Sequence, residues 1–216
     1  MTVSTSAATA ARTRRRREPN PWLKPGIFLG GLVPLASIVV RADLRALGAD
    51  PIAQVLNELG LTALIFLIAS LACTPARRLF GWTWQVPARR ELGLFAFFYA
   101  MLHFMSYLVL DQYFAWAAIL EDVIQRPFIT VGFAALVLMV PLAITSTTGW
   151  IRRLGFRRWT RLHQLVYLAG GLAVVHFIWR VKIDLTQPLT YAAVLGILLA
   201  VRLLYWLYRR DAKKSA

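Results

Sequence analysis

Residues 162–179 read LHQLVYLAGGLAVVHFIW. The run contains no Asp, Glu, Lys or Arg, and it approaches the ~20 mainly apolar residues that a helix needs to cross a bilayer. It nevertheless carries His163 and His176. An ionisable side chain inside hydrocarbon is costly and usually faces a bundle interior, where it serves a function. This stretch therefore predicts both a membrane span and a site.

Five further apolar runs flank it, at about Leu23–Val40, Glu58–Thr74, Leu92–Leu110, Phe128–Thr145 and Leu189–Leu207. Pro34 interrupts the first, and Asn57 with Glu58 shortens the second. Of the 216 residues 58% are hydrophobic and 16% charged, against about 45–50% and about 25% in an ordinary soluble domain. A mean hydropathy of +0.57 agrees. A soluble enzyme, a disordered tail protein and a coiled coil are excluded. The expectation is an all-α integral membrane protein, a bundle of six transmembrane helices.

The net charge is +15, from 25 Lys plus Arg against 10 Asp plus Glu. These cations do not form one basic face, as a nucleic-acid partner would require. They alternate with the spans. On one side stand Arg12, Arg14–Arg17, Lys24, Arg77, Arg78, Arg89, Arg90, Arg152, Arg153, Arg157, Arg158, Arg161, Arg209, Arg210, Lys213 and Lys214, 19 in all. The other side has 5: Arg41, Arg45, Arg126, Arg180 and Lys182, while Arg202 lies within the last span. This bias predicts that both termini are cytoplasmic. The Arg14–Arg17 run is read as a topology signal that also touches anionic membrane lipid. Residues 1–22 are expected to be a disordered basic tail, 23–210 the membrane domain and 211–216 a short cytoplasmic tail.

The single cysteine, Cys73, excludes an internal disulfide, a Cys-based zinc site, an iron–sulfur cluster and a C-x-x-C-H haem attachment. Gly30-Gly31 and Gly170-Gly171 lack the strand–turn–helix setting of a dinucleotide fingerprint. About nine residues follow the last span, so a flavin or nicotinamide domain within this chain is not expected. Asp111, Glu121 and Asp122 make an acidic outer loop. Trp82, Trp84, Trp150, Trp159, Trp179 and Trp206 read as interfacial belts. Thr145 to Thr148 are expected to end the fourth span by bonding its last carbonyls.

All three histidines fall on two spans: His103 on the third, His163 and His176 on the fifth. At ~1.5 Å rise per residue, His163 and His176 lie about 20 Å apart along the axis and cannot share one centre. His103 and His176 lie at ~16 Å and ~21 Å from the inner boundary, at matching depth within the error of the span edges. A haem iron between them would have two axial imidazoles. Arg89, fourteen residues before His103, is placed near the level of His163, where a second haem could lie with Arg89 as a partner for its carboxylates. Thirteen residues set His163 and His176 on different faces of an ideal helix, so a kink or close packing is expected at Gly170-Gly171.

Together these stretches resemble a known family. They are Arg89-Arg90-Glu91-Leu92-Gly93-Leu94, then Tyr99, His103, Tyr107 and Asp111, then Arg126-Pro127-Phe128-Ile129-Thr130-Val131-Gly132 and Pro141-Leu142-Ala143-Ile144-Thr145-Ser146. Trp159, Leu162-His163-Gln164-Leu165-Val166-Tyr167, His176, Trp179, Lys182 and Asp184 complete the series. The chain is similar to the MsrQ (also called YedZ) family, haem-binding membrane subunits of the protein-methionine-sulfoxide reductase system within the ferric reductase-like transmembrane group. The resemblance implies haem ligands at His103, His163 and His176, with Arg89 where larger relatives have a fourth histidine. It implies one or two b-type haems, a bound FMN, and a periplasmic molybdopterin-dependent reductase catalytic subunit that repairs oxidised methionines. Electrons would come from quinol or a cytoplasmic flavin reductase, at the bacterial inner membrane. The chain would then be an electron-transfer subunit rather than a complete enzyme. Two other readings are a stand-alone cytochrome b-type ferric or quinone reductase, and a non-redox transporter or assembly protein.

Overall fold

The protein is described by a computed structural model covering residues 22–83, 85 and 87–212. The expected basic tail, apart from Trp22, lies outside the described residues, as do Trp84, Lys213 and Lys214. Among the described residues every regular element is helical. Six long apolar segments account for a multi-pass membrane protein. Four are single α-helices: α1 (Leu23–Asp43), α2 (Pro51–Phe80), α5 (Pro127–Ile144) and α9 (Thr186–Ala212). The third is α3 (Arg89–Ser106), which ends in a π-helical turn, Tyr107–Asp111. The fifth spans α7 (Phe156–Leu162) and α8 (Leu165–Arg180). Two further helices, α4 (Trp116–Gln125) and α6 (Thr148–Leu154), fill connections.

α2 is the axis of the bundle. Its start is fixed by the Asp50 carboxylate, which accepts from the Ala53 amide at 3.0 Å, and by Pro51 in the first turn. Gly81, at φ 68°, stops it in a left-handed conformation that glycine adopts without steric cost. One face of α2 packs Leu59 and Ala63 against Ile38, Phe95 and Tyr99 of α1 and α3. Another packs Leu64, Ile68 and Leu71 against Val174 of α8 and Leu195 of α9. In the centre Leu67 meets Ala96, Met139 and Ala169. Ala96 and Ala169 are fully buried, small residues that let membrane helices approach closely. Large apolar side chains left outward, such as Phe28, Val33, Ile197 and Leu204, face where lipid would be.

Pro34 does not end α1. Its ring forces the preceding turn open, and the Tyr99 hydroxyl enters the gap. That hydroxyl accepts from the Leu35 amide at 3.2 Å and donates to the Gly31 carbonyl at 2.6 Å, two groups that an unbroken helix would join directly.

Two expectations are corrected. The acidic outer segment is not a plain solvated loop: Glu121 and Asp122 sit on α4, where Ile119, Leu120, Val123 and Ile124 form an apolar stripe. The fifth span is interrupted at His163-Gln164, whereas Gly170 and Gly171 are both helical. The kink is therefore not at the glycines. The close packing expected as the alternative holds for Gly170, which is buried and where a Cβ would meet Leu195 and Leu71 at 3.6–3.7 Å, ordinary contact. α9 runs to Ala212, the last described residue. The fourth span ends as expected, with Thr145 and Ser146 hydroxyls donating to the carbonyls of Pro141 and Leu142 at 2.6 and 2.7 Å.

Candidate functional site

α3 and α8 bring His103 and His176 together in the wall of one cavity, with ring centroids 6.1 Å apart and planes 77° to each other. The two rings are braced alike. Nδ1 of His103 donates to the Leu56 carbonyl of α2 at 2.9 Å, and Nδ1 of His176 donates to the Phe128 carbonyl of α5 at 2.7 Å. A carbonyl can only accept, so each Nδ1 carries the proton and each Nε2 keeps its lone pair. Among the described residues the hydrogen bonds of both rings run through Nδ1 and none through Nε2.

The cavity has a volume of about 790 Å³, within the range of about 300–1,000 Å³ usual for ligand and cofactor sites. Its walls are mainly apolar, including Leu67, Ala100, Phe104, Phe133 and Met139. Polar groups gather toward one end, where Asn57, Tyr107, Asp111, Arg126 and Arg180 reach the lining. The Asn57 side-chain oxygen is buried there without a partner. Over that end the Tyr107 hydroxyl and the Gln112 amide both donate to Asp122 at 3.2 Å, and Asp122 pairs with Arg126 at 3.3 Å. Ile119 and Val123 of α4 complete the cover.

His163 does not join this site. It lies in the break between α7 and α8, where Trp159 packs on it with centroids 4.1 Å apart and its Nε2 is 3.0 Å from the Thr145 hydroxyl. That hydroxyl already donates its proton to the Pro141 carbonyl. It therefore accepts from His163, whose proton sits on Nε2. Trp159 fixes the same corner by donating from its indole to the Thr145 carbonyl at 2.9 Å. Arg89 lies within electrostatic reach of His163 and bonds the Thr74 hydroxyl at 3.4 Å. Cys73 is buried and bonds the Ala69 carbonyl.

Among the described residues no three His, Cys, Asp or Glu side chains converge on one point. A metal at His103 and His176 must bring its other ligands with it, as porphyrin iron does. Metal–imidazole bonds of about 2 Å plus a ring radius of roughly 1.2 Å, from ring bonds of about 1.35 Å, would hold two imidazoles on opposite sides of one metal ~6.4 Å apart between centroids. The 6.1 Å found here fits that demand. Sequence reasoning paired the two histidines by depth but missed the Leu56 and Phe128 carbonyls, because a backbone acceptor has no residue-type signature. It also read Trp159 as interfacial and gave Arg126 and Arg180 only to topology.

Residues 58–174 match the family model described as the ferric reductase like transmembrane component. That segment includes His103 and His163 and stops just before His176. The protein-methionine-sulfoxide reductase heme-binding subunit MsrQ of Rhodospirillum rubrum is 53% identical over 189 residues, 88% of this chain and 91% of that protein. The same subunit of Deinococcus radiodurans is 52% identical over 189 residues, covering 88% and 93%. That of Herminiimonas arsenicoxydans is 43% identical over 196 residues, covering 90% and 89%.

Proposed function

Since this chain belongs to the MsrQ family of ferric reductase-like membrane proteins, we propose that it is a membrane cytochrome b whose haem is held between His103 and His176. The observation that carries this reading is the pair of imidazoles, both with Nδ1 rather than Nε2 tied to a carbonyl, set 6.1 Å apart in an apolar cavity. A b-type haem bound there supplies one-electron cycling between ferric and ferrous iron. The rest is the work of the chain. His103 and His176 offer two neutral nitrogen lone pairs, and Leu56 and Phe128 fix which nitrogen offers them. Phe104, Phe133 and Met139 keep water out. Arg126 and Arg180 reach the cavity lining and would be the residues to pair with the carboxylates of a bound haem.

The same reading makes the chain an electron-transfer subunit of the bacterial inner membrane. It would take electrons from quinol or a cytoplasmic flavin reductase, with FMN as a second cofactor. It would pass them to a periplasmic molybdopterin-dependent methionine sulfoxide reductase catalytic subunit. A second haem would lie near His163 and Arg89. The engagement of His163 Nε2 by Thr145 favours one haem over two. The ferric reductase match keeps one rival reading, a stand-alone ferric reductase.

The test is haem-to-protein stoichiometry with a reduced-minus-oxidised spectrum of the purified chain. One haem per chain is expected, with a low-spin spectrum that His103→Ala and His176→Ala each abolish and His163→Ala leaves in place. A wild-type spectrum in both of the first two variants overturns the ligand assignment. Ferric chelate reduction without any periplasmic partner would favour the rival.

A further inference from the structure

The two imidazoles are held against bare backbone. Each accepting carbonyl lies four residues before a glycine, Leu56 before Gly60 on α2 and Phe128 before Gly132 on α5. In a helix, residue i+4 stands directly over the carbonyl of residue i on the same face. A Cβ on Gly132 would lie 2.6 Å from Nδ1 of His176 and 2.9 Å from its Cε1. A Cβ on Gly60 would lie 3.2 Å from Nδ1 and Cε1 of His103. Neither ring can reach its carbonyl with a side chain in that place, short of a shift.

We propose that Gly132 and Gly60 are positioning residues, a matched pair of gaps that let the two ligand imidazoles bond the backbone of the neighbouring helix. This rests on the haem reading above and deepens it. Each carbonyl has a second lone pair, so it accepts from the imidazole without giving up its helical hydrogen bond. The bond from Nδ1 to a carbonyl raises the basicity of Nε2 and fixes the ring's azimuth. A stronger donor favours ferric over ferrous iron, so losing the bond raises the reduction potential. The two gaps differ in depth. The Gly132 contact is far inside van der Waals range and admits no Cβ unless the ring moves. The Gly60 contact needs the ring to give by a few tenths of an ångström.

The test compares Gly132→Ala, Gly60→Ala and Gly171→Ala, purified with haem, by low-spin spectrum, haem occupancy and redox titration. Gly171 lies on the same helix as His176, and a Cβ there meets nothing within 4 Å. Alanine is the better helix former at all three positions, so helix propensity alone harms none of them. Gly132→Ala is expected to cost about tenfold in ferric relative to ferrous stabilisation, the lower end for a change behind a metal ligand. For a one-electron couple that is about 59 mV upward. Gly60→Ala should move the potential the same way by less, and Gly171→Ala should match wild type.

His103→Ala and His176→Ala separate the two levels of the argument. If they leave the wild-type spectrum, the ligand assignment falls and the glycine proposal with it. If they abolish it while Gly132→Ala and Gly60→Ala titrate together with Gly171→Ala, the ligands stand and the glycine proposal is overturned. Should Gly132→Ala fail to insert, Gly60→Ala decides alone, since its smaller displacement leaves the helix pair in contact.

Discussion

A hydroxyl group lodged in a helix ladder shows what one residue contributes here. Tyr99 is fully buried, and its oxygen serves both the Leu35 amide and the Gly31 carbonyl of α1. Tyr99→Phe keeps the ring and its stacking on Phe66 but leaves a donor and an acceptor unmet in a dry interior. Such a loss costs about 1–3 kcal/mol, and 1 kcal/mol moves the unfolding midpoint of a chain this size by roughly 2–4 °C. Thermal unfolding in detergent should therefore show a fall of several degrees. Tyr113→Phe, at a residue 74% exposed, should show none. An unchanged midpoint for Tyr99→Phe would mean that α1 closes its own ladder across Pro34. Sequence revealed Pro34 as an interruption, but not Tyr99 as its remedy. The two are 65 positions apart, and only the fold makes them neighbours.

At the level of elements, the apolar spans were legible because hydropathy over some twenty residues is set by the bilayer itself. What joins them was not. The π-helical turn at Tyr107–Asp111 and the helix α4 carry no comparable signal, since their stability comes from contacts between segments. Asp122 is the joint: it binds Tyr107 and Gln112 from one segment and Arg126 from the next. Asp122→Ala should loosen α4 from the cavity mouth without removing either histidine brace. A local loss of about 1–2 kcal/mol corresponds to roughly 5–30-fold faster opening. Hydrogen exchange of the α4 amides should accelerate by that factor, while amides near the middle of α2 and α8 keep their protection. Uniform acceleration throughout the bundle would show that Asp122 supports global folding instead. The candidate site divides in the same manner. Ligand type and depth could be read from His103 and His176. Azimuth could not, because the fifth span breaks at His163-Gln164 and the helical count across that break loses its meaning.

For the whole molecule, the site lies off centre, toward the end that carries Arg126 and Arg180. Which side of the membrane that end faces decides whether the proposed electron transfer would leave toward the periplasm or the cytosol. The basic residues argue for the periplasm: the sequence assigns 19 to the opposite side and 5 to this one, and cytoplasmic loops gather Lys and Arg. Six spans among the described residues would also put Leu23 and Ala212 on the same side. The chain offers a clean assay, because its only cysteine, Cys73, is 4% exposed. In a Cys73→Ala background, Ile183→Cys places a thiol between α8 and α9 where the native side chain is 97% exposed. Phe156→Cys places one at the start of α7, 73% exposed and at the opposite end. A membrane-impermeant maleimide on spheroplasts should label Ile183→Cys at once and Phe156→Cys only after the membrane is opened. The reverse pattern would turn the bundle over. It would put His103 and His176 nearest the cytosol, so delivery to a periplasmic reductase would have to cross most of the bilayer beyond them. Labelling of both before opening would mean that the charge bias does not set one orientation, and the one-way transfer proposed for the chain would lose its direction.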